Sequence, residues 1–192
     1  SIESAHERQR AYSLIAAEYA KAGLTEEATG LVQSIGNPEF ARLDMMRAYL
    51  ETEDYAQAQK IALQPDMLDF LPEVGQAYLD MGEPEQALSL IDSIPSADSA
   101  DWLRQSTAIE FARQNEFDQA LKLAQTVTDP EIKADVLAAI AANYTKSSDD
   151  SSWGRLWTRL VNPLRAWLGT SDQERAVEIL DQAVDVMQID TE

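Results

Sequence analysis

The stretch LPEVGQAYLDMGEPEQALSLIDSI, residues 71–94, carries two apolar stripes with a glycine between them. Leu71, Val74, Gly75 and Tyr78 follow a 3, 1, 3 spacing, and positions so spaced share one face of an α-helix. Ala87, Leu90, Ile91 and Ile94 form a second stripe of the same period. Gly82 stands four residues past Tyr78, where a helix C-terminus turns through positive φ. The stretch predicts two amphipathic helices joined by a tight turn.

The same unit recurs on both sides. Tyr12, Ile15, Ala16 and Tyr19 repeat the first stripe, as do Leu137, Ile140, Ala141 and Tyr144. Weaker copies are Arg42, Met45, Met46, Tyr49 and Arg104, Thr107, Ala108, Phe111. Consecutive rings lie 30, 29, 33 and 33 residues apart. Nine residues after four of the rings come Ala28, Ala58, Ala87 and Ala120, each opening a second stripe. Those stripes are Ala28, Leu31, Val32, Ile35, then Ala58, Ile61, Ala62, and, past residues 87–94, Ala120, Leu123, Ala124, Val127. Alanine at a crossing point lets two helix backbones approach, and the ring fills the space beside it. Gly23 matches Gly82, and Asn115 takes that place after Phe111. Asn37-Pro38 and Asp129-Pro130 each read as an N-cap followed by proline in the first turn. The rings are therefore expected to be core, not a cofactor box.

This pattern resembles the tetratricopeptide repeat family. Tyr12, Ile15, Ala16, Tyr19, Gly23, Ala28, Val32 and Ile35 follow the family signature. So do Leu71, Val74, Gly75, Tyr78, Gly82, Ala87, Ile91 and Ile94. The resemblance covers residues 8–146 and 171–188. It departs in period, which is about 34 residues in the family and shorter in the first repeats here. Arg42 and Arg104 also stand where a large apolar residue is usual. The resemblance implies one all-α domain over residues 1–192, a right-handed α-solenoid of about five antiparallel helix pairs with no sheet.

Composition agrees with this class. Hydrophobic residues make up 45% of the 192, with seven glycines and seven prolines. The formal charge of −19 keeps a chain soluble and repels nucleic acid and anionic lipid at long range, so no nucleic-acid partner is expected. With no cysteine there is no disulfide, thiolate site or cysteine nucleophile. A cysteine-free chain suits either side of a membrane, and a cytoplasmic location is favoured. The chain opens at Ser1 without Met, which reads as a processed or trimmed form with no remaining signal-peptide pattern.

Catalytic chemistry finds little purchase. His6 is the single histidine, so neither a triad nor a transition-metal site can be assembled. No glycine-rich phosphate loop is present. Asp98 with Asp101 and Asp149 with Asp150 are carboxylate pairs of a common, capping or solvated kind. Neither has the oxygen run and glycine turn of a calcium loop. No enzyme activity, cofactor or metal is expected.

After Tyr144 the repeat is interrupted. The next second-helix stripe, Ala176, Ile179, Leu180, Ala183, begins 32 residues later rather than nine. Residues 147–170 therefore read as an insertion between the two helices of the last pair. Its polar leader 147–152 precedes a segment, 153–169, with three of the four tryptophans, three arginines and no acid. On a helical wheel Trp153, Leu156, Trp157, Leu160, Val161, Leu164, Trp167 and Leu168 fall on one side. Arg155, Arg159, Arg165, Thr158 and Asn162 fall on the other. Such an apolar face needs a cover: this chain, a partner or second copy, or a membrane interface, which favours Trp and Arg.

The resemblance places the concave face on the first helix of each pair. That face would hold Phe40, Asp44, Arg47 and Glu51, then Asp69, Glu73, Gln76 and Asp80, then Trp102, Gln105 and Ile109. An acidic middle with aromatic edges suits a basic or amphipathic helix of a partner protein. Family grooves that clamp a terminal carboxylate use Lys and Asn, where Ser13, Ala17, Leu43 and Arg47 stand here, so that mode is not expected. Two functions follow as expectations. One is a protein-interaction scaffold or assembly adaptor. The other is a peripheral membrane protein tethered by residues 153–169.

Overall fold

The computed structural model of the chain describes residues 2–147, with side chains from 7 to 143. The segment 153–169, the stripe from Ala176 and the side chains of His6 and Tyr144 lie outside the described residues. Among the described residues the chain is helical throughout and has no strand. The helices are α1 (Ile2–Lys21), α2 (Thr25–Gln33), α3 (Glu39–Glu51), α4 (Tyr55–Ala62), α5 (Leu71–Asp80), α6 (Pro84–Ile91), α7 (Ala97–Arg113), α8 (Phe117–Gln125) and α9 (Pro130–Ser147). A 3₁₀ turn, Leu68–Phe70, precedes α5.

One turn is built four times. Gly23, Gly82 and Asn115 have φ of 74°, 73° and 66°, as their residue types suggest. Glu53 takes the same conformation at 61°, four residues past Tyr49. In each turn the amide three residues past the helix reaches the ring residue's carbonyl: Leu24 to Tyr19, Asp54 to Tyr49, Glu83 to Tyr78 and Glu116 to Phe111, all at 2.8–2.9 Å. Paired with bonds that span fewer residues, such as Gly23 N–H to Ala20 and Glu53 N–H to Leu50, these form Schellman caps. Each cap satisfies helix-end carbonyls and launches the next helix within a few residues.

The crossing alanines behave as their spacing implies. Ala28, Ala58, Ala87 and Ala120 are all fully buried. The rings seat on the second helix of the preceding pair. Tyr49 on α3 donates its hydroxyl to Thr25 Oγ1 on α2 at 3.0 Å. Tyr78 on α5 donates to Gln59 Oε1 on α4 at 2.7 Å and packs on the Tyr55 ring, with centroids 5.7 Å apart. Tyr49, Tyr78 and Phe111 are 1%, 7% and 0% exposed.

Three expectations need correction. Tyr19 is 38% exposed and Ile15 is also exposed, and among the described residues no helix packs on that face of α1. Asn37 does not cap α3: Pro38 takes the cap position and no side chain bonds there. The Asp129 cap does form, its Oδ1 accepting from the amides of Glu131 (2.8 Å) and Ile132 (2.9 Å). Asp69 sits on the 3₁₀ turn rather than on the helix. Pro72 has no N–H to give and is tolerated in a first turn, so α5 starts at Leu71. Arg42 and Arg104, which stand where a large apolar residue is usual in the family, pair their heads with acids. Arg42 bonds Asp66, and Arg104 bonds Asp101 at 2.7 Å.

Among the described residues, sustained packing joins only helices one or two places apart in chain order. Successive helices pack on each other, and α1 packs on α3, α5 on α7 and α7 on α9. Between α3 and α5 the helices are not closely packed, and the linker with its 3₁₀ turn rests on α4 and α5 instead.

Candidate interaction surface

Most of the expected groove residues lie on α3, α5 and α7. Side-chain bonds cross the row of first helices. Ser13 on α1, itself buried, donates to Asp44 on α3. Lys21 on α1 pairs with Glu51 on α3 at 2.7 Å. Arg47 on α3 reaches α5 with a two-pronged bond to Glu73, 2.9 Å to Oε1 and 3.1 Å to Oε2. This last pair spans the gap that the backbones leave. Each cation feels its acid: the Lys21 ammonium is pushed up by its bond to Glu51, and the Arg47 guanidinium by its bond to Glu73.

Two hollows open along the row. One, of about 450 Å³, is lined by Arg10, Ser13, Ile35, Phe40, Ala41 and Asp44, among others. Phe40 is 70% exposed at its edge. The other, of about 650 Å³, lies between α5 and α7 and includes Gln76, Asp80, Met81, Ile109, Glu110 and Arg113. Gln76 donates to Asp80 at 2.7 Å, and Gln114 closes the end by donating to the Gly82 carbonyl at 2.8 Å.

The sequence-predicted residues therefore divide. Phe40 and Asp44 share one hollow, and Gln76, Asp80 and Ile109 share the other. Arg47, Glu51 and Glu73 join the helices between them. Asp69, Trp102 and Gln105 line neither hollow, although Trp102 is 42% exposed on α7. The acidic middle is less free than its sequence reads, since Asp44, Glu51 and Glu73 already hold Ser13, Lys21 and Arg47. Sequence reasoning missed Arg10, Glu110 and Arg113. Arg113 continues the Trp102, Gln105, Ile109 stripe by one helical turn, so there the period held the signal, whereas Glu110 lies to one side of it.

Asp101, one of the candidate carboxylates, is spent elsewhere. It is buried and accepts from the Thr128 amide (2.8 Å), the Thr128 hydroxyl (2.5 Å), the Asp129 amide (2.9 Å) and Arg104. Burial alone would raise its pKa. The bonds from Thr128, Asp129 and Arg104 outweigh that and hold it below the usual carboxylate range. Nearby Lys133 is also buried and donates to the Gln125 carbonyl at 2.9 Å. Burial pushes its ammonium down, against the pull of Asp101. This cluster pins the α8–α9 link to α7. Among the described residues no group of three His, Asp or Glu side chains is placed as metal ligands are, and no helix is long and apolar enough to cross a membrane.

No family model matches the chain, and no curated protein or solved structure matches it either.

Proposed function

We propose that this chain is a non-enzymatic interaction scaffold of tetratricopeptide-like architecture. Its helix pairs stack as a right-handed solenoid, and the row of first helices receives a basic or amphipathic helix from a partner protein. The observation that carries this reading is the exposure of Phe40 at the rim of a hollow that joins the apolar Ile35 and Ala41 to the charged Arg10 and Asp44. A phenyl ring held in water beside Arg10 and Asp44 is poorly placed for stability and well placed as an anchor. The acids Asp80 and Glu110 in the second hollow supply charge for steering. The nearest-neighbour packing supports the solenoid, since stacked repeats touch only their neighbours.

Quantitative affinity purification with the full chain tests this. Phe40→Ala and Asp80→Lys should each lower recovery of the wild-type partner about tenfold, while Lys122→Ala on α8 should leave it unchanged. Equal recovery with all three variants refutes the assignment of this surface. Residues 153–169 support a second reading, peripheral membrane association, because their Trp and Arg separation matches an interfacial helix. Co-sedimentation of the full chain with phosphatidylglycerol vesicles, lost on Trp157→Ser, would favour that reading.

A further inference from the structure

A third hollow opens on the side of α3 away from the row of first helices. Arg42, Met45 and Tyr49 face it, about half a turn round α3 from Phe40, Asp44 and Arg47. Helices α2 and α4 form its walls. Among the described residues these two share no sustained packing, and a space of about 220 Å³ is left between them.

Charge sets this hollow apart. The chain has 34 acidic residues against 15 basic ones, and acids line both hollows on the row: Asp44 in one, Asp80 and Glu110 in the other. Among the described residues no acid lines the third, and two cations do. Arg42 is half-buried with its head bonded to Asp66. Lys60 on α4 is exposed and, among the described residues, pairs with no acid.

The polar lining is uncommitted too. Thr29 on α2, Gln57 on α4 and Gln64 just past it are half-buried, yet among the described residues none of their side chains bonds to protein. Elsewhere such groups are used: Gln59 accepts from Tyr78, Gln76 donates to Asp80 and Gln114 to the Gly82 carbonyl. A hydroxyl, two amides and an ammonium give the mouth of the hollow a surplus of donors. Beneath them Val32, Met45 and Ile61 are buried and apolar. An apolar floor under a few convergent polar groups is the make-up of a small-molecule site.

We propose that this hollow binds a small carboxylate with an apolar body. The carboxylate accepts from Lys60, Thr29 and the two amides, and the body rests on Val32, Met45 and Ile61. One free cation balances one negative charge, which suits a carboxylate better than a phosphate dianion. The space equals that of about seven waters at about 30 Å³ each, enough for a single ring and too little for a peptide. The site does not rest on the partner binding proposed above for the row of first helices.

Titration of the full chain with benzoate, followed by amide correlation NMR spectra, tests this. Benzoate should shift the backbone amides of Thr29, Lys60 and Ile61 and the side-chain amides of Gln57 and Gln64. The shifts should saturate with a dissociation constant of about 1 mM, as suits so small a ligand. Benzamide, which has the shape without the charge, should bind about tenfold more weakly. So should inorganic phosphate, which has charge without an apolar body. Lys60→Met keeps the stem, removes the charge and should lower benzoate affinity about tenfold. Lys122→Met on α8 should leave it unchanged. The same spectra report whether each variant is folded, and Thr29→Val serves as a second site variant. Three results would overturn the proposal: benzoate shifts that are absent at ten times that concentration or scattered over the surface, benzamide or phosphate binding as tightly as benzoate, or benzoate affinity unchanged in both site variants.

Discussion

Glu53 shows how strongly the repeated turn constrains single residues. Its φ of 61° suits glycine, and a glutamate there carries a cost of about 1–2 kcal/mol. Glycine gives back about 0.5–1 kcal/mol through its unfolded-state freedom. Glu53→Gly should therefore stabilise the chain by about 0.5–1 kcal/mol, seen as a higher urea midpoint at unchanged slope. Asp101 makes the opposite case, a side chain whose bonds hold a loop. Asp101→Asn removes the charge that Arg104 and two amides are aimed at, and should cost about 2–3 kcal/mol. The sign with pH follows from its depressed folded pKa. The unfolded group titrates near about 3.9, so its contribution is full above that pH and is lost as pH falls through the folded value. Urea melts from pH 5 to 2 should show a steeper acid loss in wild type than in Asp101→Asn. Of these residues Gly23, Gly82, Asn115 and Asp129 could be read from the sequence, because each is a type that turns and caps prefer. Glu53 could not, since only the register of the repeat places it at positive φ, and Asn37 misled because Pro38 itself takes the cap position.

At the scale of the helices, the two glycines inside α2 and α5 separate propensity from packing. Gly30 lies on an exposed face of α2 with open space where a Cβ would stand. Gly30→Ala should stabilise by about 0.5–1 kcal/mol from helix propensity alone. At Gly75 a Cβ would come within 2.6 and 2.8 Å of the two methyls of Leu103, which is fully buried on α7 and has no room to swing. Gly75→Ala should destabilise by about 1–2 kcal/mol, overpacking winning over propensity. Ala87→Phe, at a fully buried crossing, should cost about 1–3 kcal/mol for the same reason. Thermal melts of the three variants check all three signs. The small positions at crossings were legible because sequence spacing fixes which residues face a neighbouring helix. The cross-helix pairs Lys21–Glu51 and Arg47–Glu73 were not, because they depend on which helices lie beside each other. Sequence alone showed the acids as unpaired charge.

For the whole molecule, Tyr19 carries the lesson. Its spacing is that of a core ring, yet exposure depends on a neighbour that the local pattern does not contain. Tyr49 and Tyr78 are buried because a helix earlier in the chain receives each of them, and among the described residues none receives Tyr19. The proposed stack would be elongated, with four spacings of close to 10 Å, about 40 Å in all, between the axes of its first and last first helices. Small-angle X-ray scattering of the full chain, extrapolated to zero concentration to remove self-association, measures this directly. An open stack predicts a radius of gyration of about 18–20 Å, with a distance distribution tailing to long separations. A value of about 16 Å with a symmetric distribution, as expected for a compact chain of 192 residues, would contradict the stacked arrangement and the binding row built on it.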